Sequence, residues 1–321
     1  MRRNILSLPK NAINYLKGLI CVFENANCMC LSEISKCSHD SLTRILKKSR
    51  FNWQTLLINL GLRIFGNLSG GYLIIDDTAI NKQFAKYIEN LSWVFDSKIG
   101  KCILGLNLVM IAWSNGKITI PLAIKVYQKS NGKTKIDLAL ELIEWARKLG
   151  FKPDYITFDS WYSADRILKK IHKLGWAFIT QIKKNRKLNN IQVRRLFPNP
   201  YWMQEGKLSN GLKISVVRHG KKYFITNDLS LEKNEILSMY KGRWLVETIF
   251  RMLHSKLGLD ECESRSLTAQ TAHFYLCLMA YTILEKEKFI TRKSTYQIKK
   301  ECSFDFKKAD RLINKLCFQS A

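Results

Sequence analysis

Three acidic residues stand where metal-dependent phosphoryl transfer would need them. Asp76 closes the apolar run Tyr72-Leu73-Ile74-Ile75, and Asp159 closes Tyr155-Ile156-Thr157-Phe158. An unpaired charge at the end of a buried strand is costly, so a carboxylate in such a place needs a partner. Glu247 lies in a stretch whose polar side reads Tyr240, Arg243, Glu247, Arg251 and His254. Steps of three and four residues put these on one stripe of a helix, with Leu245, Ile249, Met252 and Leu253 directed elsewhere. Two strand-end aspartates and a helical glutamate can share a pair of divalent cations, which offsets the burial cost and supports in-line displacement at phosphorus. Each residue also has a plainer role open to it. Asp76 fits a cap beside Thr78, Asp159 a loop cap before a helix starting near 163, and Glu247 an ion pair with Arg243 or Arg251. Asp77 becomes the ligand if the strand register shifts by one.

The elements that must position these residues follow from periodicity. Residues 1–70 read as an all-α N-terminal domain, with Asn14, Leu16, Leu19, Ile20 and Phe23 inside one long periodic segment. A break at Cys37–Asp40, with Ser41 as a cap, separates two short helices in the manner of a helix-turn-helix. Arg44, Lys47 and Lys48 of the second helix would face phosphates, or else form the solvated face of a helical bundle. From residue 71 the pattern becomes mixed: strand 72–76, then strands 103–113 and 118–127 turned by Asn115-Gly116. A helix near 136–149 follows, capped by Thr134 with Leu138, Leu142, Trp145 and Leu149 as its buried stripe. Strand 155–159, helix 163–174 ended by Gly175, and strand 176–182 complete the unit. Residues 183–230 read as a basic, β-rich insertion before the Glu247 helix, with Pro198 and Pro200 and short alternating runs around Gly220. Residues 183–222 carry eleven Lys or Arg and one acid, Glu205. Tyr201 and Trp202 interrupt this field, either as platforms for unstacked bases or as a small core with a basic rim. Residues 286–321 read as an amphipathic helical tail.

These residues resemble a known family. Asp76-Asp77-Thr78 is similar to the D-x-T of the first catalytic strand in bacterial insertion-sequence transposases of the DDE type, and Asp159-Ser160-Trp161-Tyr162 to their D-x-x-Y. Tyr240, Arg243 and Glu247 match the Y-(2)-R-(3)-E spacing of the YREK subgroup. The resemblance covers roughly residues 70 to 260. It implies an RNase H-like catalytic core, formed by 71–182 and 231–285, with a mixed five-stranded sheet and flanking helices in an α/β fold. In that fold the first and fourth strands are neighbours, which brings Asp76 beside Asp159. It also implies two Mg2+ or Mn2+ ions held by Asp76, Asp159 and Glu247, nicking at transposon ends, and joining of a 3′-OH to target DNA. Tyr240 and Arg243 would grip a phosphate, with Arg251 and His254 nearby on the same stripe. His254 stands where the subgroup has Lys, and neutral imidazole is the weaker phosphate contact. Trp161 and Tyr162 read as packing for Asp159. The expected partners are double-stranded DNA, at transposon ends and target, and a second copy in a homodimer on DNA. A stand-alone metal-dependent nuclease, or a catalytically impaired DNA-binding descendant, shares the same basic character.

Composition agrees with a polyanionic partner. The 321 residues carry 53 Lys or Arg against 26 Asp or Glu, a net charge of +27, and such an excess favours nucleic acid. The longest apolar runs, Ile103–Trp113 and Phe274–Leu284, are shorter than the roughly 18–20 residues of a membrane span. No signal-peptide pattern follows Met1, so the expected location is the cytoplasm or its nucleoid. Nine scattered cysteines argue against a disulfide framework. Cys28, Cys30, Cys37 and His39 fall within twelve residues but lack the spacing of a common zinc finger.

Overall fold

Apolar runs too long for one exposed face fold into a large mixed sheet with helices on both sides. The computed structural model describes residues 8–22, 25–48, 51–96, 99–196 and 202–317. Phe23, Pro198, Pro200 and Tyr201 lie outside the described residues. Four helices come first: α1 (Lys10–Cys21), α2 (Cys28–Ser35), α3 (His39–Lys47) and α4 (Trp53–Phe65). Strands β1 (Tyr72–Asn81), β2 (Ser92–Asp96), β3 (Lys101–Ser114) and β4 (Thr119–Tyr127) follow, then α5 (Lys135–Lys148), β5 (Tyr155–Phe158), α6 (Asp165–Lys173) and β6 (Ala177–Ile182). The insertion holds β7 (Lys187–Leu188), β8 (Ile191–Gln192), α7 (Val193–Leu196), β9 (Met203–Lys207), β10 (Lys213–His219) and β11 (Lys222–Thr226). The chain then forms α8 (Lys233–Lys241), α9 (Leu245–Lys256), α10 (Leu267–Thr291), α11 (Thr295–Phe304) and α12 (Phe306–Cys317).

The five expected core strands take the order β4-β3-β1-β5-β6. Strand β1 pairs antiparallel with β3 and parallel with β5, in the register Ile75↔Phe158. This is the RNase H-like arrangement. The sheet is larger than five strands because β2 joins β3 and the insertion adds β11, β10 and β9 beyond β6. The insertion is thus an extension of the main sheet. Strand β1 also outruns the predicted 72–76: residues Asp76–Asn81 stay paired with Gly105–Met110 of β3. What ends near Asp76 is the neighbouring strand β5.

Local signals account for most boundaries. Thr134 and Asp137 form a reciprocal capping box on α5. Gly116 takes a φ of 84° in the β3–β4 turn, where Asn115 Oδ1 accepts the amides of Lys117 and Ile118. Helix α6 starts at Asp165 rather than 163, because the preceding residues form a turn around Asp159. Ser38 rather than Ser41 caps α3, its hydroxyl accepting the Ser41 amide, while Lys36 in a left-handed conformation closes α2.

The two faces of β1 feed different cores. Tyr72 and Ile74 join a cluster with Ile249, Phe274 and the N-terminal helices, whereas Leu73 and Ile75 join one with Leu142, Ile167 and Phe178. Helix α10 runs through the first cluster and is buried along most of its length. Helices α1, α3 and α4 pack against it from the N-terminal side, and α11 and α12 close over α1. Buried polar links tie these helices together. Tyr15 Oη pairs with His273 Nδ1 at 2.8 Å, and His273 Nε2 donates to Gly258 O at 2.9 Å. Burial lowers its pKa to about 4. Lys299 Nζ donates to the carbonyls of Leu19 and Val22 at 2.8 and 2.6 Å, satisfying the C-terminal end of α1. Among the described residues no helix is long and apolar enough to cross a membrane. The described cysteines are all free, and none of them shares a cluster of three metal-ligating side chains, so Cys28, Cys30, Cys37 and His39 form no zinc site there. Replacing Lys299 by Met should lower stability by about 1–3 kcal/mol in urea denaturation, because two buried carbonyls lose their donor.

Candidate active site

The end of β5 exposes a point on the sheet where Asp76 and Asp159 come side by side, with Glu247 joined to Asp76 through Arg243. Ile75 and Phe158 are the last paired residues of the parallel β1–β5 ladder, so Asp76 and Asp159 come next on adjacent strands, whose axes lie about 4.8 Å apart. Asp76 shares the face of Tyr72 and Ile74, toward α9; Asp77 falls on the opposite face, toward α5. The predicted continuous helix bearing Tyr240, Arg243 and Glu247 is broken by a single 3₁₀ turn, Gly242–Trp244, between α8 and α9. That turn sits hard against β1: a Cβ on Gly242 would come 2.5 Å from Tyr72 Oη. Tyr72 in turn stacks on Tyr155 of β5, ring centroids 4.7 Å apart and nearly parallel.

Close packing of the turn delivers Arg243 to the carboxylates. Its Nη1 donates to Asp76 Oδ2 at 2.8 Å and its Nη2 to Glu247 Oε1 at 2.9 Å. One guanidinium therefore bridges the first aspartate and the helical glutamate. Arg243 is 9% exposed, its Nε has no partner, and its guanidinium carbon lies 5.9 Å from the Tyr240 ring centroid. Tyr240 is also buried, with its ring edge-on to Phe224 at 4.8 Å. Burial pushes the Asp76 carboxyl up to about 7, with Arg243 opposing the rise and Asp159 adding to it. The same burial raises the Tyr240 hydroxyl.

Asp159 combines the two roles open to it in sequence. Its Oδ1 accepts the amides of Trp161 and Tyr162 at 2.9 and 3.3 Å, the local cap, while it stays close enough to raise Asp76. Tyr162 packs under it as expected, but Trp161 is 43% exposed, with the Lys135 ammonium 4.5 Å from its ring centroid. The predicted cage of three carboxylates is not assembled: among the described residues no three acidic, Cys or His side chains form a metal-binding group. Arg243 stands between Asp76 and Glu247, and one Asp159 oxygen faces its own turn.

His254 does not point into this site as a phosphate contact. Its Nε2 meets Thr78 Oγ1 at 2.8 Å and its Nδ1 pairs with Asp260, joining α9 to β1. Arg251 is exposed one turn beyond Glu247. Trp202 is 45% exposed, but it precedes β9, five strand positions from β1, roughly 24 Å away at about 4.8 Å per strand. Arg44 and Lys47 are exposed on α3, in the helical layer. The partners of Asp77, on the other face of β1, were not legible in the sequence pattern. Asp77 accepts hydrogen bonds from Tyr162 Oη, Asn107 Nδ2 and Lys135 Nζ at 2.7, 2.8 and 2.8 Å. The sequence signalled only that two adjacent acids in a strand must face opposite ways, and the second needs its own partners.

Comparison with known proteins gives the family. A family model described as the transposase DDE domain matches residues 69–283, more than half of the chain. The chain belongs to the DDE transposase family. A protein of Synechocystis sp., named as a candidate transposase for insertion sequence element IS4SA, is 26% identical over 106 residues; the match covers 30% of this chain and 31% of that one. The chain thus spans about a third of the length of this curated relative. A piggyBac transposase, solved in a synaptic complex with hairpin DNA, superposes with a TM-score of 0.57 at 12% identity, over 96% of this chain and 73% of the other. At that identity the likeness speaks to the fold.

Divalent-metal dependence comes with the family, and the donor set suits it. Carboxylate oxygens are the hard ligands that Mg2+ and Mn2+ prefer. Asp76 is buried beside Asp159, and its burial outweighs the charge that the Arg243 guanidinium supplies. Replacing Arg243 by Gln should raise the Asp76 pKa above about 7, since the opposing cation is lost. A carbon-detected NMR titration of the aspartate carboxyls measures it; an unchanged or lower value would contradict the bridging role.

Proposed function

We propose that the chain is a DNA transposase in which Asp76, Asp159 and Glu247 hold two Mg2+ or Mn2+ ions for nicking and strand transfer. The observation that carries this reading is the parallel β1–β5 register, which sets Asp76 beside Asp159 while Arg243 draws Glu247 to the same point. Such ions, when bound, activate a water or 3′-OH and stabilise the leaving oxygen. The protein's own groups do the positioning. Asp76, Asp159 and Glu247 would hold the ions through their carboxylate oxygens. Arg243 is a placeholder: its fork, once released from the carboxylates, matches a phosphate bidentately. Tyr240 backs that fork from the buried side. The +27 charge of the chain supplies the salt-sensitive attraction to duplex DNA, with Arg44, Lys47, Arg251 and Trp202 spread along the path of a bound end. Two copies acting on two ends, in the nucleoid, complete the proposal.

A catalytically impaired end-binding protein is the second reading, favoured by His254 in place of Lys. The Thr78–His254–Asp260 link gives that histidine a structural task in joining α9 to β1. A stand-alone nuclease would nick without joining ends to target. Asp76→Ala should abolish Mg2+-dependent nicking of the element's end DNA while leaving salt-sensitive binding largely intact; equal nicking by the variant would sink the assignment, and nicking without joining by the unmodified protein would favour the nuclease.

The pH response has a defined sign. Asp76 is raised from 3.8 to about 7, so its protonated form stabilises the fold. That contribution is fully present below its ordinary pKa and is lost as pH rises through about 7. Cations compete with the same proton. The thermal shift produced by Mn2+ should therefore be larger at pH 8 than at pH 6, and a shift independent of pH would count against Asp76 as a ligand.

A further inference from the structure

We infer that Asp77 is a positioning residue whose carboxylate locks the strand carrying Asp76 to the turn carrying Asp159. The inference rests on the metal-site reading above but concerns a residue outside it. Asp77 lies on the α5 face of β1, turned away from Arg243 and Glu247. Its Oδ1 accepts the Tyr162 hydroxyl at 2.7 Å. Its Oδ2 accepts Asn107 Nδ2 and Lys135 Nζ, both at 2.8 Å. Tyr162 is 1% exposed and follows Asp159 by three residues, and its own backbone amide donates to Asp159 Oδ1. A closed path therefore runs from Asp76 through one peptide bond to Asp77, across to the Tyr162 ring, and back to the Asp159 carboxylate. Strand pairing alone does not supply this link, because the β1–β5 ladder ends at Ile75 and Phe158. Beyond that point Asp159 is in a turn, and the Tyr162 hydroxyl is what ties the turn to β1.

The donor pattern requires a carboxylate. Three donors converge on two oxygens, and an amide at this position would turn its NH2 toward a donor on one side or the other. Asn107 reaches Asp77 from β3, so its loss removes one hydrogen bond without touching the path to Asp159. That difference separates positioning from general loosening of the fold.

The experiment uses the full chain and Mn2+ alone, with free Mn2+ followed by electron paramagnetic resonance. Tyr162→Phe removes only the hydroxyl from a buried ring. It should weaken Mn2+ binding about tenfold or more, the scale seen when a residue supporting a metal ligand is lost. It should also lower the nicking rate at saturating Mn2+ with DNA affinity unchanged. Asp77→Asn should do the same or worse, while Asn107→Ala should lower the melting temperature and leave Mn2+ affinity near that of the unmodified protein. Unchanged Mn2+ affinity in Tyr162→Phe, or an equal loss in Asn107→Ala, overturns the proposal. If the unmodified protein binds Mn2+ with this dependence on Tyr162 yet nicks no end DNA, the positioning role stands and the transposase reading falls.

Discussion

Crowding of negative charge at one end of the sheet is the constraint on which the rest of the site depends. Asp76 and Asp159 follow the last paired residues of neighbouring strands, and the Asp159 charge adds to burial in opposing ionisation of Asp76. Asp77 and Glu247 add two more acids. The fold meets this with two cations from opposite sides. Arg243 bridges Asp76 and Glu247 on the α9 face, and Lys135 holds Asp77 on the α5 face. The residual strain is visible in Asp76, whose carboxyl rises to about 7 because burial outweighs its guanidinium. A site balanced in this way welcomes further positive charge, which is the property a metal-dependent phosphoryl transferase needs.

The division of labour between Asp76 and Asp77 follows from strand geometry. Successive side chains of β1 face opposite layers, so one acid meets α9 and the other α5. A slip of one residue would exchange their partners and leave each facing the wrong set of charges. The register is held by the long β1–β3 pairing from Tyr72 to Asn81 and by the Tyr72–Tyr155 stack across β5. Gly242 completes the arrangement, since only a residue without Cβ lets the 3₁₀ turn approach Tyr72 closely enough for Arg243 to reach Asp76. His254 and Asp260 fasten the far end of α9 to Thr78, so helix and strand are joined on both sides of Glu247.

The helical layer has the same economy. Helix α10 is buried along its length, and the chain's first and last helices close over it. Lys299 from α11 satisfies the carbonyl end of α1, and Tyr15 of α1 satisfies buried His273. Segments read in sequence as a head domain and a tail thereby share one core with the Tyr72 and Ile74 face of the sheet. The basic residues of α3, exposed on this layer, are held at a fixed place relative to the site.

Sequence alone determined the strands that carry Asp76 and Asp159, the Asn115-Gly116 turn, the capped α5 and the family, because these depend on local periodicity, turn chemistry and motif spacing. It did not determine the length of β1 or the joining of the insertion to the sheet, since edge pairing depends on strands distant in sequence. Nor did it reveal that Asp77 is a hub, that His254 faces Thr78 and Asp260, or that Trp161 is exposed while Tyr162 is buried. Two of the contacts involved, Asp77–Asn107 and Thr78–His254, span 30 and 176 residues of sequence. Only the tertiary structure decides which donor reaches a buried carboxylate, because hydrogen bonds and ion pairs are fixed by ångström-scale packing that no periodic pattern encodes.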